Sequence, residues 1–453
     1  MHFDILVKNA IILTMEPNCE PFLGWMGVCD GRITACEAGP MPSHCVANET
    51  IDASNRILMP GLINGHCHGD MTVFRGLGDG FTLGEQCDLF NENWWFGKDL
   101  TNEDLIASRQ LTYLEAIASG TTFILENMYW GVGLAAISAM RQTGIRGALS
   151  EEFRTSRDFN PLGGVLDDRY LSDFSAECRK NDLIPVMNSV AEENFSQEFL
   201  ERIFAAAERN GLMLTQHVSE TPWRMNMVRS RFGRSTIRYM EDIGVLGRVP
   251  LIASHAVYID KEDRDIIRKR NVRIVNTPVC EMKIADGIAP VAEYVAEDTI
   301  IGLGTDGALW NNTNDMFGEI KYSVLLQSVI KGPRSISARQ ALEMATIGGA
   351  RVFDVADDTG TITPGKSADF ILVDASGLHM QPLQLGIHEN VFSALAFCAC
   401  GRDVTDTFVH GCGVMRNRII TTIDAQKVVS AASEVRKRIL SKYLAFHLND
   451  DMR

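Results

Sequence analysis

The 453-residue chain has no long run of Lys and Arg. With 43 basic against 58 acidic side chains its net charge is −15. A nucleic-acid-binding surface needs a basic stripe, so a polyanionic partner is excluded as an expectation. No uninterrupted apolar run approaches the ~18 residues of a membrane span. The first residues, Met1 to Asn9, alternate like a strand and lack a basic region followed by an apolar core, so no secretory signal is expected. The 11 cysteines are odd in number and scattered, which does not suit a disulfide framework. They read as reduced thiols in a cytoplasmic protein, with Cys398 and Cys400 buried in a strand-like run. Short repeats and low-complexity segments are absent as well.

What is present is ordinary globular composition: 45% hydrophobic and 22% charged residues. Residues 1–58 read as short strands, Ile5–Val7, Ala10–Leu13, Gly24–Val28 and Arg32–Ala35, punctuated by Pro, Asn and Gly. The same texture returns at Ala368–Val373 and Asp406–Val409. Between them, near-continuous apolar runs alternate with helical patterns. The runs are Ile57–Ile63, Thr121–Leu125, Ile145–Leu149, Leu183–Met187, Leu212–Gln216, Val249–Ala253, Val272–Val275 and Thr299–Leu303. Such runs are the mark of parallel strands covered on both faces. Helix starts are visible at Thr101–Asp104, Asp260–Asp263 and Ser337–Gln340. Eight strand–helix repeats give an α/β fold, a (β/α)8 TIM-type barrel over residues 59–362. A small β-sandwich domain built from both termini, 1–58 plus 363–453, flanks it.

Functional groups of such a barrel sit at the C-terminal ends of its strands. Of only ten histidines, four fall there: His66 and His68, His217, and His255. Asp306 follows the last run. In a strand, residues i and i+2 face the same way, so His66 and His68 can share one ion while Cys67 points away. Imidazoles and a carboxylate, with one position open for water, are what a divalent ion such as zinc requires. His66, His68, His217 and Asp306 are therefore the candidate ligands of one divalent ion, zinc first, iron or manganese as alternatives. Glu220, three residues after His217, is placed to overhang the ion and shuttle a proton. Barrels that hold two metals bridge them with a carbamylated Lys on the fourth strand. No Lys occurs from Asp99 to Arg179 or in Leu183–Ser189, which favours a single ion, with Glu126 or Glu151 the only substitutes considered.

These residues stand in a text that resembles the amidohydrolase superfamily, in its metal-dependent aminohydrolase branch. That branch includes S-adenosylhomocysteine/methylthioadenosine deaminases, guanine and cytosine deaminases, and s-triazine hydrolases. The matching segments are Met59–His68, Gly120-Thr121-Thr122, His217-Val218-Ser219-Glu220, Ser254-His255, Gly287–Val291, Gly304–Gly307 with Asn311-Asn312, and Pro364–Asp369. The resemblance implies a hydrolytic deaminase of an aminated nitrogen heterocycle, with release of ammonia after attack by a metal-activated hydroxide. In it His66, His68, His217 and Asp306 hold the metal. His255 hydrogen-bonds the attacking water, Asp306 takes its proton, and Glu220 protonates the ring nitrogen beside the carbon attacked. The alternative within the same chemistry is hydrolysis of a cyclic amide, or of a halide or alkylamine on a triazine-like ring. A metal-free scaffold on this barrel is disfavoured by the complete ligand set.

Departures from the pattern bear on the substrate. Leu309-Trp310 replaces a small Ala-Ser pair of the nucleoside deaminases. Asn188–Glu193 stands where a Pro-His stretch is usual, Asn276–Glu281 replaces an Asn-Pro-Ala-Ser-Asn segment, and Glu85-Gln86-Cys87 replaces Glu-Trp-Leu. Trp310 and Glu281, with Glu220, are the candidate substrate contacts. An indole at position 310 fills space a sugar would need and points to a free or lightly substituted heterocycle. The expected partner is thus a small heterocyclic molecule, and the chain is read as a homo-oligomer candidate.

Overall fold

The computed structural model describes residues 1–86, 100–128, 133–152, 168–189 and 191–450. Cys87 and Val190, two of the departures just named, lie outside them. Two sheets organise the chain. One holds β1 (His2–Ile12), β2 (Phe22–Cys29), β3 (Arg32–Ala38), β4 (Val46–Asp52) and β5 (Arg56–Pro60) from the N-terminal side. The other is an eight-stranded parallel ring. It runs in chain order through β6 (Leu62–Cys67), β7 (Thr121–Asn127), β8 (Arg146–Glu152), β9 (Ile184–Asn188), β10 (Met213–Val218), β11 (Leu251–His255), β12 (Arg273–Asn276) and β13 (Ile301–Leu303). The first sheet is completed by β14 (Phe370–Asp374), β15 (Val404–Val409), β16 (Cys412–Arg416) and β17 (Ile419–Ile420), and β5 pairs antiparallel with β14. The barrel and the sheet from both termini are those expected.

The apolar run Ile57–Ile63 is two strands, not one. The chain leaves the terminal sheet at Pro60 and enters the barrel at Leu62. Gly61 is the pivot: its N–H donates to Asp369 O at 3.1 Å, and the next N–H, of Leu62, donates to Gly120 O at 2.9 Å. One hydrogen bond thus belongs to each body. Arg146 clamps the same junction, donating to Asp369 at 2.5 Å and to Asp358 at 2.9 Å.

Helices fill the crossovers, and their starts are set by side chains. Thr101 and Asp104 form a reciprocal capping box before the helix Asn102–Ala118, and Ser337 and Gln340 do so before Ala338–Glu343. Asp260 caps Lys261–Arg270 through the N–H of Asp263. The barrel interior is packed by Ile63, Phe123, Leu125, Val186, Ile252, Val275 and Phe353. The ring closes between β13 and β6, where Asp306 N donates to His66 O at 2.9 Å and the Asn64 amide donates to Thr305 Oγ1 at 2.8 Å.

Two stretches differ from the sequence reading. The last part of 363–453 is a long helix, Ala425–Asp450. Ala432, Val435 and Ile439, at helical spacing, pack with Phe74, Leu105 and Trp310 on the barrel, and Arg436 donates to Val73 O at 3.0 Å. Cys398 and Cys400 are exposed, at and just past the end of a wide helical turn, Ala394–Cys398, because this short apolar run takes a helical period rather than alternation. The other cysteines described carry no disulfide, and those at 45, 67, 178 and 280 are buried. No described helix is long and apolar enough to cross a membrane.

A Cβ on Gly61 would run into the β-branched side chain of Thr122. Gly61→Ala is expected to lower the unfolding free energy by about 1–3 kcal/mol, the usual cost of overpacking. Urea denaturation followed by tryptophan fluorescence measures it, and an unchanged midpoint would show that the junction yields.

Candidate metal centre and active site

All five strand-end residues converge on one point at the C-terminal rim. His68 Nε2 lies 3.3 Å from His217 Nε2 and 3.4 Å from Asp306 Oδ1. His66 Nε2 lies 3.6 Å from the same oxygen. Four ligands bound tetrahedrally at ~2.0–2.1 Å stand about 3.4 Å apart, so these separations are the edges of one coordination shell. His66 Nε2 and His255 Nε2 are buried atoms without a hydrogen-bond partner among the described residues. The donor set and spacing fit a divalent ion held by His66, His68, His217 and Asp306.

The protonation states agree. Burial pulls the His66 imidazole down, carries His68 down to about 3, and takes His217 well below its ordinary value. Neutral imidazole is the ligating form. Burial alone would raise Asp306, but His66, His68 and His255 outweigh it and hold the carboxyl well below the usual range. His255 goes the other way. Its burial is overcome by Glu220, Glu281 and Asp306, which push it up to about 9.

Two of the candidate ligands, and His255, are oriented from behind. His66 Nδ1 is 2.8 Å from Ser254 Oγ, and His255 Nδ1 is 2.9 Å from Thr277 Oγ1. An Nδ1–H donated there leaves Nε2 facing the centre. On Asp306, Gly307 N donates to Oδ1 at 2.7 Å and the Cys280 thiol donates to Oδ2 at 2.8 Å. Both His255 (φ 70°) and Asp306 (φ 61°) occupy the left-handed region, which non-glycine residues hold only under constraint. The turn each makes swings its side chain inward off the strand axis.

Glu220 is 2% exposed and lies 3.7 Å from His255 Nε2. It also pairs with Arg224, one turn on, whose Nη2 donates to Glu193 at 2.9 Å. Trp310 stands edge-on to His68, ring centroids 5.1 Å apart, with its indole over Gly307 and its back in the cluster that holds the C-terminal helix. Glu281 is not where the sequence put it. Rather than reaching a substrate, it is turned inward behind His255, accepting from the Asn276 amide at 2.8 Å and from Thr277 N at 3.1 Å. Its carboxylate is needed there to satisfy those buried donors. Glu126 and Glu151 are likewise engaged away from the metal ligands. Glu126 accepts from Arg109 at 3.0 Å and Tyr113 at 2.9 Å; Glu151 accepts from Tyr170 at 2.6 Å and Gly133 N at 3.0 Å.

Several residues of this rim escaped the sequence reading. Arg224 could have been found from its spacing, four residues after Glu220 at the start of a helix. Glu319, buried on the helix Met316–Lys331, accepts from Asn311 at 2.7 Å and Val279 N at 3.1 Å and so ties the loops after β12 and β13. Burial pushes it up to about 8, and no local pattern marks it. The same holds for Arg109, fully buried between Glu126 and Asp70.

Comparison with known proteins gives a consistent picture. The model of the amidohydrolase family matches residues 57–413. A 5'-deoxyadenosine deaminase of Methanosarcina acetivorans is 34% identical over 445 residues, 97% of this chain and 99% of that protein. A 5-methylthioadenosine/S-adenosylhomocysteine deaminase of Desulforudis audaxviator is 32% identical over 446 residues, 96% and 99% of the two chains. Among solved structures, an adenosine deaminase from Xanthomonas campestris with bound zinc superposes with a TM-score of 0.88 at 25% identity, covering 97% of this chain and 99% of the other.

The Arg109 cluster supports the loop that leaves His68, since Gly69 N donates to Glu126 at 3.1 Å. Arg109→Ala strands two buried carboxylates. The expected cost is about 3–5 kcal/mol of stability, read by chemical denaturation; a change below ~1 kcal/mol would show that the carboxylates find other partners.

Proposed function

The chain belongs to the amidohydrolase family, and from that premise we propose how its rim works. The enzyme is a metal-dependent hydrolase of carbon–nitrogen bonds other than peptide bonds, a deaminase that removes an amino group from a nitrogen heterocycle as ammonia. The observation that carries this reading is the 3.3–3.6 Å shell of His66, His68, His217 and Asp306 with His255 and Glu220 above it. Zinc is the proposed ion, from the imidazole–carboxylate donor set and from the zinc in the Xanthomonas adenosine deaminase. Bound there, it supplies Lewis acidity that ionises a water near neutral pH.

The side chains divide the remaining work. Asp306 takes the proton of the attacking water, and His255 donates from Nε2 to hold that water in line. Thr277 and Glu281 keep the His255 ring in that orientation. Glu220 delivers a proton to the ring nitrogen next to the carbon attacked, which makes that carbon electrophilic. The tetrahedral centre then expels its amine as ammonia, with the proton Asp306 had taken, while the hydroxyl proton passes back to Glu220 and the carbon keeps the oxygen as a carbonyl. Trp310 forms a flat wall beside His68. The relatives are named for adenosine derivatives; the indole favours a free or lightly substituted ring here, and Glu220 and Trp310 are its proposed contacts.

Ammonia release by metal-analysed enzyme from aminated purines, their nucleosides, pterins, pyrimidines and triazines is the test. We expect one metal per chain, activity lost on chelation, and reduced metal content in His217→Ala. Full turnover by rigorously metal-free protein would overturn the reading. Glu220→Gln keeps the shape and removes the exchangeable proton. A drop in kcat of about 10²–10⁴ is expected with metal retained, and near-native turnover would assign the proton to another group.

A further inference from the structure

Glu220 has a second carboxyl against it. Asp286 follows the short helix Pro278–Lys283 on the loop after β12. Its backbone is pinned on both sides: its N–H donates to Glu281 O at 2.9 Å, and Tyr258 OH donates to its carbonyl at 2.5 Å. The side chain is only 2% exposed. Glu220 lies within hydrogen-bonding reach of the carboxyl, and Glu281 and Arg224 are its other strong charged neighbours. No donor among the described residues reaches its buried Oδ2.

Two carboxyls in contact out of water cannot both ionise comfortably. Burial and the neighbouring Glu220 hold Asp286 far above the usual carboxylate range, so the pair keeps a proton between its two carboxyls at neutral pH. With that proton donated toward Glu220, Oδ2 is left as a carbonyl-type acceptor facing no donor. A buried acceptor of this kind is costly until something donates to it. The Arg224 guanidinium is already committed to Glu220 and Glu193. What is missing is an N–H brought by a ligand.

We propose that Asp286 determines specificity: with Glu220 it reads two neighbouring nitrogen positions, so the preferred substrate carries a second amino group on the far side of the ring nitrogen that Glu220 serves. The proposal rests on the role given to Glu220 above. It names the substrate class as a heterocycle with the amino–ring nitrogen–amino edge of a 2,6-diaminopurine or a 2,4-diaminopyrimidine. One amino group meets the metal centre, the ring nitrogen meets Glu220, and the other amino group donates to Asp286 Oδ2.

The experiment compares adenine with 2,6-diaminopurine, and 4-aminopyrimidine with 2,4-diaminopyrimidine, on the zinc-loaded enzyme. Ammonia release gives kcat/KM, and calorimetry gives Kd for any pair that is not turned over. The diamino member is expected to be favoured at least about tenfold, the worth of one satisfied buried acceptor. Asp286→Ala should erase that preference, bringing the diamino-to-monoamino ratio of kcat/KM, and of Kd, to about one. Asp286→Asn should keep it, because the amide still donates to Glu220 and still presents an oxygen. Equal treatment of the two members by the unaltered enzyme overturns the proposal without any variant. So does an equal loss for both members in Asp286→Ala, or an Asp286→Asn that behaves like Ala. Absence of ammonia from every heterocycle would instead count against the deaminase reading, and the Kd ratios would still decide the role of Asp286.

Discussion

Three imidazole nitrogens and a carboxylate oxygen converge in one buried site, His68 Nε2 standing 3.3 Å from His217 Nε2 and 3.4 Å from Asp306 Oδ1 and His66 Nε2 3.6 Å from the same oxygen, and the rest of the rim is arranged around that crowding. The proposed ligands come from β6, β10 and the turns after β6 and β13, far apart in the chain. Only ring closure brings them together. The bond from Asp306 N to His66 O is therefore more than a ladder contact. It fixes the last ligand against the first, and the left-handed turn at Asp306 then aims the carboxylate inward. Such a conformation costs of order 1–3 kcal/mol, and it persists because hydrogen bonds over-determine it.

Behind the ligands, charge is settled group by group. Glu126 and Asp70 are held by Arg109. Glu193 and Glu220 are held by Arg224. Glu281 is satisfied by Asn276 and Thr277, and Glu319 by backbone and amide donors. Buried carboxylates are tolerable only when paired or hydrogen-bonded. Their partners here are loop and helix residues, so the electrostatics of the centre also staple the loops to the barrel. Asp286, on the loop after β12, adds a buried Oδ2 that no donor among the described residues reaches, and in the proposal a ligand supplies one.

The parts legible in sequence were those with a local signature. Strand-end histidines, capping boxes such as Thr101 with Asp104, and near-continuous apolar runs each declare themselves within a few residues. The eight barrel strands and the convergence of His66, His68, His217, His255 and Asp306 follow from them. What stayed hidden is set by distance in space. Ile57–Ile63 read as one strand because its apolarity is continuous; the break at Gly61 exists only because two sheets pull on it. Glu281 read as a substrate contact because its buried donors, Asn276 and Thr277, are specified by the fold of the turn and not by spacing. The C-terminal helix was folded into a strand-built region because its packing partners, Phe74 and Leu105, lie hundreds of residues earlier.

A division of labour follows from where these residues sit. The metal ligands and His255 stand on strands or within three residues of a strand end, where backbone ladders leave little freedom. The groups that would face the variable part of a heterocycle sit on loops: Trp310 after β13 and Asp286 after β12. Loops of a barrel can be replaced without disturbing the ring. The same chemistry can thus be kept while the rim is rewritten. In this chain the rewriting has a direction. In the proposed reading the apolar wall at Trp310, in one cluster with residues of the terminal helix, would limit bulk, while the buried Asp286–Glu220 pair would ask for nitrogen donors. Selection for the ring's edge and selection against its substituents would then be carried by different loops, and each could be altered without touching the proposed metal shell.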